Sequence, residues 1–265
     1  MSHICISARS DTGSVREHNE DNFGSRDDLG LVVLADGMGG YQAGEVASAI
    51  AVTTVYQVVE QLLGAHDSDS ETPYSHEEML YRAVRHANRL IYETALDDKE
   101  CRGMGTTLTA GWFDNGRLSI AHVGDSRLYR YRSYQLDLLS KDHTIVQELV
   151  DNGFYSREEA KHSAQRNIVT RALGVGSSLE IDTRELETLP GDIYLLCSDG
   201  LNDMLDDREI SNILRRSSTD LDYGIDELID KAIANGGHDN VTVILVRVGE
   251  GASPSPSLFR RLFGR

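Results

Sequence analysis

Two hydrophobic periods alternate along the chain. Short apolar runs rich in β-branched residues recur at 4–8, 31–35, 106–113, 117–123, 127–132, 193–197 and 241–248, and each predicts a β-strand. The runs at 31, 193 and 241 are almost continuously apolar, as expected where a sheet is covered on both faces. Between them, helical spacing brings Val46, Ile50, Val55, Val58, Val59 and Leu62 onto one side of residues 44–63. Leu80, Val84, Ala87, Ile91 and Ala95 do the same over 77–96, and 207–216 and 221–234 repeat the pattern. Asp207 is the expected N-cap of the third helix and Gly236-Gly237 the expected stop of the fourth. Residues 66–76 (HDSDSETPYSH) are polar and acidic and predict a loop. Residues 142–176, broken at Asn152-Gly153, predict a partly helical surface flap, to which substrate choice is a natural assignment. These elements predict one α+β domain over 1–249, with antiparallel strands inside and helices outside. Residues 250–265 form an appendage: a Ser/Pro-rich linker, then LFRRLFGR, with Leu258, Phe259, Leu262 and Phe263 at helical spacing beside three arginines.

Charge narrows the function. The 265 residues carry 26 basic and 43 acidic side chains, a net of −17, which argues against nucleic acid or an anionic membrane as the main partner. Three scattered cysteines (Cys5, Cys101 and Cys197) make neither a disulfide framework nor a CxxC metal site. No leader pattern opens the chain and no apolar run is expected to reach membrane length, so a cytoplasmic protein without stable membrane insertion is expected.

The excess carboxylates have a pattern. Asp36, Asp125 and Asp199 each lie after an apolar strand beside a glycine, Asp239 precedes one, and Glu20-Asp21 bring the carboxylates to six. Asp-Gly after a strand is also a common hairpin turn. However, Asp36-Gly37 leads into Met-Gly-Gly and a helix, and Asp199-Gly200 into Leu-Asn-Asp-Met, neither with an immediate pairing strand. Six carboxylates converging at one end of a sheet repel unless a proton or a cation lies between them. An all-oxygen set favours magnesium or manganese over zinc. Two such ions activate water and clamp a phosphoryl oxygen, so the residues point to a binuclear hydrolase of phosphate esters.

Six motifs in chain order, Arg16-Glu-His-Asn-Glu20-Asp21, Asp36-Gly37-Met-Gly-Gly, Gly103-Met-Gly-Thr-Thr107, Val123-Gly-Asp125-Ser-Arg127, Ser198-Asp199-Gly200 and Gly237-His-Asp239-Asn240, closely resemble the bacterial form of the metal-dependent protein phosphatase 2C (PPM) family. The resemblance covers about residues 1–249. It implies a four-layer α-β-β-α sandwich, two antiparallel sheets flanked by helices, and hydrolysis of phosphoserine and phosphothreonine in proteins. It implies two Mn2+ or Mg2+ ions on Asp36, Asp199 and Asp239, with Asp36 bridging and the Gly37 carbonyl on the second ion. Glu20 and Asp21 would act on metal-bound waters, and Asp125 with Asp199 would hold a third ion. Arg16 would grip the substrate phosphate while a bridging water attacks phosphorus without a phosphoenzyme.

The family's histidines are replaced here by Met38 and Tyr41, which leaves the general acid unassigned. His143 is read as a residue at a helix start, and the cysteines as packing residues. The resemblance implies phosphorylated proteins as partners, among them a cognate Hanks-type serine/threonine kinase and its substrates. A monomer is the default expectation. The competing reading is a catalytically idle domain that binds phosphoproteins; an intact Arg16, Asp36, Asp199 and Asp239 argue against it.

Overall fold

A computed structural model describes residues 4–40, 43–64, 74–161 and 163–249. Tyr41, most of the acidic 66–76 loop and the 250–265 appendage lie outside the described residues. The strands are β1 (Ile4–Asp11), β2 (Asp21–Arg26), β3 (Leu31–Met38), β4 (Gly105–Thr106), β5 (Leu108–Asp114), β6 (Arg117–Val123), β7 (Arg127–Arg132), β8 (Gln135–Leu138), β9 (Asp182–Glu187), β10 (Ile193–Cys197) and β11 (Val241–Val248). The helices are α1 (Ala43–Gly64), α2 (His76–Asp97), α3 (Ile145–Asp151), α4 (Arg157–Lys161), α5 (Asp199–Asn202), α6 (Asp207–Arg216) and α7 (Leu221–Ala234).

Every strand pairing is antiparallel. One sheet runs β2-β3-β5-β6-β9 with β4 on the end of β3, and the other runs β1-β11-β10-β7-β8. The two-residue side-chain period divides each central strand between two cores. In β3, Leu31, Val33 and Ala35 pack against α1 and α2, whereas Val32 and Leu34 meet the opposite sheet. In β11, Val241, Val243 and Leu245 face α6 and α7, whereas Ile244, Val246 and Val248 face inward. The layers are therefore helices, sheet, sheet, helices, and the continuous apolar runs are strands buried on both sides. Each fully buried Val or Leu in them contributes about 1.5–3 kcal/mol.

Several expectations need correction. The third helix is capped by Asp206, whose carboxylate accepts the Glu209 N–H at 2.8 Å while Glu209 reaches back to the Asp206 N–H at 3.1 Å. Asp207 is its first helical residue. The run at 106–113 is two strands, with Thr107 between β4 and β5. Strand β3 continues through Asp36-Gly37 to Met38 and pairs there with β4, so these residues belong to a strand end. The 142–176 segment is only partly a surface excursion: Leu173 is fully buried and exchanges backbone hydrogen bonds with Thr106. Helix α1 is long and apolar enough, by length and composition, to cross a membrane, contrary to the sequence expectation. Its Ala47, Ala51, Val55 and Val59 instead pack in the core beneath the first sheet.

Candidate metal centre and active site

The registers bring the acidic motifs to one end of both sheets. Asp21 at the start of β2 stands opposite Asp36 near the end of β3. The end of β6, which leads into Gly124-Asp125, pairs with the start of β5 on that same side. In the other sheet, the end of β10 pairs with the start of β11, so Asp199 and Asp239 meet there too. The Asp21 carboxylate joins the sheets: its Oδ2 accepts the Ser198 hydroxyl at 2.8 Å and the Thr242 hydroxyl at 2.6 Å. Asp199 opens α5 behind Ser198, and the Thr107 N–H fixes the Asp36 carbonyl at 2.8 Å. Gly37 has no room for a side chain, because a Cβ would run into the Gly44 carbonyl.

The charges raise one another's pKa. Burial raises Asp36 most, followed by the negative charges of Asp21, Asp199, Asp125 and Asp239. Burial likewise leads for Asp199, followed by Asp125, Asp239 and Asp203. Asp21 is pushed up to about 6 by burial, even though the hydroxyls of Thr242 and Ser198 favour its charged form. Asp125 is pushed up to about 7, again by burial first and then by Asp142. Glu20 also rises through burial. Asp199 thus responds both to the Asp21–Asp36–Asp239 group and to Asp125 and Asp203.

Two oxygens test the fit to a cation. Glu20 Oε1 and Asp21 Oδ1 are buried without any hydrogen-bond partner, at a cost of several kcal/mol per unpaired charged group by order of magnitude. Hard divalent ions satisfy such oxygens, and the surrounding donors are carboxylates and backbone carbonyls. Among the described residues, no three acidic, histidine or cysteine side chains already close on one point as a finished cage. The carboxylates instead line a shared, half-buried end of the sandwich.

Arg16 lies on the loop between β1 and β2, about half exposed, and its Nη2 donates to Asp239 Oδ2 at 2.6 Å. That bond, together with the charges of Asp239, Glu20 and Asp36, raises its pKa further. The candidate phosphate ligand therefore sits at the carboxylates. Histidines do not: among the described residues, no imidazole hydrogen-bonds any of these carboxylates. His143 is buried just before the Thr144 cap of α3, and its Nδ1 accepts the Gly124 N–H at 3.0 Å.

Two residues escaped the sequence reading. Asp203 follows Asp199 by four residues, a helical spacing that sets both on one face of α5, where each could have been read as the other's neighbour. Asn240 stood in the last motif but had no role assigned from sequence; its carboxamide holds the Arg16 loop.

A family description, protein phosphatase 2C, matches residues 13–225. The chain belongs to the protein phosphatase 2C family. It is 39% identical over 244 residues to the serine/threonine phosphatase stp of Listeria monocytogenes, a match covering 90% of this chain and 93% of that protein. It is 41% identical over 243 residues to the serine/threonine protein phosphatase PstP of Mycobacterium tuberculosis, covering 91% of this chain but 44% of the longer relative. A crystal structure of PstP superposes with a TM-score of 0.80 at 40% identity, over 93% of this chain and 99% of that one. The PstP catalytic domain in complex with two manganese ions superposes at 0.77, at 40% identity over 93% and 99%. The phosphatase fold of these relatives is the four-layer sandwich described above, and the chain is accordingly an enzyme, a serine/threonine protein phosphatase.

Proposed function

We propose that this phosphatase removes phosphate from phosphoserine and phosphothreonine with two divalent ions, Mn2+ or Mg2+, held by Asp36, Asp199 and Asp239 and by the Gly37 carbonyl, and that Asp125 with Asp199 takes a third. Glu20 and Asp21 complete the outer set. The carrying observation is the convergence of these acids at one end of both sheets, with Glu20 Oε1 and Asp21 Oδ1 buried and unpaired. Bound ions of this kind supply an activated water and neutralise charge on the phosphoryl group.

The chain's own groups do the rest. The Arg16 guanidinium presents a planar fork of donors suited to phosphate oxygens, and its 2.6 Å pairing with Asp239 aims it at the reacting end. The Asp21 carboxylate, tied by Ser198 and Thr242, keeps the two sheets in register beneath the substrate. Desolvation of Asp36 and Asp199 makes each an avid partner for positive charge. The substrates are read as phosphorylated proteins, among them a serine/threonine kinase and its targets, met in the cytoplasm by a monomer.

Hydrolysis of p-nitrophenyl phosphate and of a phosphothreonine peptide, with and without Mn2+, tests this. Wild type should turn over only with the ion, and Asp36→Asn should fall by at least about a hundredfold. Wild-type turnover no greater than that of Asp36→Asn rejects the reading and leaves an idle phosphoprotein-binding domain.

A further inference from the structure

We infer that Asn240 is a positioning residue that locks the Arg16-bearing loop onto the metal-ligand turn. The inference rests on the proposed role of Arg16 in gripping phosphate. Its buried carboxamide makes three hydrogen bonds to a single loop. Nδ2 donates to the Thr12 carbonyl at 2.9 Å and to the His18 carbonyl at 3.0 Å, and Oδ1 accepts the Glu20 N–H at 2.9 Å. These contacts straddle Arg16, four residues after the first anchor and two before the second.

Besides the Arg16–Asp239 pair, the loop and the turn are joined by backbone. The Ser14 N–H donates to the Gly237 carbonyl at 2.8 Å. Gly13, at φ +78°, passes so close to Asp239 that a Cβ would strike its carbonyl oxygen. Asn240 itself is anchored: it starts the chain into β11, and α5 presses against it, since a Cβ on Gly200 would meet the Asn240 carbonyl. One amide side chain thus sets where Arg16 stands relative to Asp239, the residue before it. Only an amide satisfies two carbonyls and one N–H together; a carboxylate would oppose both carbonyls, and an aliphatic group would leave all three unpaired. Since a phosphate-binding group grips only from the right place, an anchor for the loop belongs to the binding machinery without touching substrate.

The test compares the Mn2+-loaded wild type, Asn240→Ala, Arg16→Ala and the double variant on a phosphothreonine peptide. Hydrogen exchange of the 12–20 amides is followed in parallel. Asn240→Ala should raise KM about tenfold and leave kcat within about threefold, as expected when a phosphate-binding group is displaced. The 12–20 amides should exchange faster while those of β10 and β11 keep their protection. The double variant should have the KM of Arg16→Ala alone, because a mispositioned arginine and a missing one are one defect. If Asn240→Ala unfolds, Asn240→Asp, which retains the shape and the acceptor for Glu20, takes its place in the same comparison. A raised KM in Arg16→Ala with an unchanged KM in the Asn240 variant overturns the positioning role, as does an Asn240 effect that multiplies in the double variant. An unchanged KM in Arg16→Ala overturns the phosphate-binding reading instead, and the positioning role falls with it.

Discussion

Asp21 and Asp36 face each other across adjacent strands β2 and β3, in register. Arg16 brings positive charge to their end of the sheets, and it is bound to Asp239. Function has therefore placed like charges where folding disfavours them. The account predicts that Asp36→Asn melts higher than wild type in chelator, by about 1–3 kcal/mol of stability, while losing turnover. Thermal melts of both proteins in chelator check this; a lower melting point for Asp36→Asn contradicts it.

The sign of the pH dependence follows for the metal-free protein. Asp21 and Asp125 are pushed up to about 6 and about 7, whereas in the unfolded chain both titrate near 3.8. Between those limits the folded state binds more protons, so these groups destabilise it progressively as pH rises from 4 to 7. In chelator, the stability they govern is thus greater at pH 5 than at pH 8. Mn2+ reverses the preference, because the ligands must be deprotonated to bind it. Denaturant midpoints at the two pH values, with chelator and with Mn2+, check the reversal; identical midpoints in all four conditions contradict it.

His122 predicts the opposite slope. Its ring is buried, tilted against that of His143 with centroids 5.0 Å apart, and hydrogen-bonded to the Thr109 hydroxyl at 3.0 Å. Burial, then the neighbouring imidazole, pushes its pKa down to about 4 from 6.5. The unfolded chain therefore takes up a proton below 6.5 that the folded chain refuses until about 4, and stability falls with pH across that window. His122→Gln, which keeps polar contacts without a titrating ring, should show a shallower loss of melting temperature from pH 6.5 to 4.5. An unaltered slope would mean that His122 charges without cost.

Removal of residues 250–265 should leave kcat and KM on the peptide unchanged, because every carboxylate of the centre lies between Glu20 and Asp239 and the last strand ends at Val248. Steady-state assays of the truncated and full chains decide; a large loss would make the appendage part of the catalytic domain.

The central strands were legible because burial on both faces writes itself as unbroken apolar runs: 193–197 and 241–248 match β10 and β11 residue for residue. The strands that were not foreseen carry weaker signals. In β2, Asp21-Asn22 open a strand that also contains Gly24, and β9 (DTRELE) is an edge with no buried position, so neither shows a clean period of two. The acids that the fold brings to one end of the sheets were legible from their place at strand ends, Asp36 and Asp199 as Asp-Gly steps. Asp203 and Asn240 were not, because their roles depend on what the fold lays beside them: one at the C-terminal cap of a four-residue helix that opens with Asp199, the other beneath a loop more than 200 residues away in sequence. His143 similarly revealed its backbone anchor only once β6 and the flap were side by side.

The central claim is that these carboxylates form one divalent-ion centre. Isothermal titration with Mn2+ at pH 6, repeated in buffers of different ionisation enthalpy, addresses it most directly. The account predicts at least two ions per chain, with net proton release as the raised carboxylates give up their protons, and loss of the tight step in Asp36→Asn. Undetectable binding in wild type, or binding of equal strength and stoichiometry in Asp36→Asn, would contradict it.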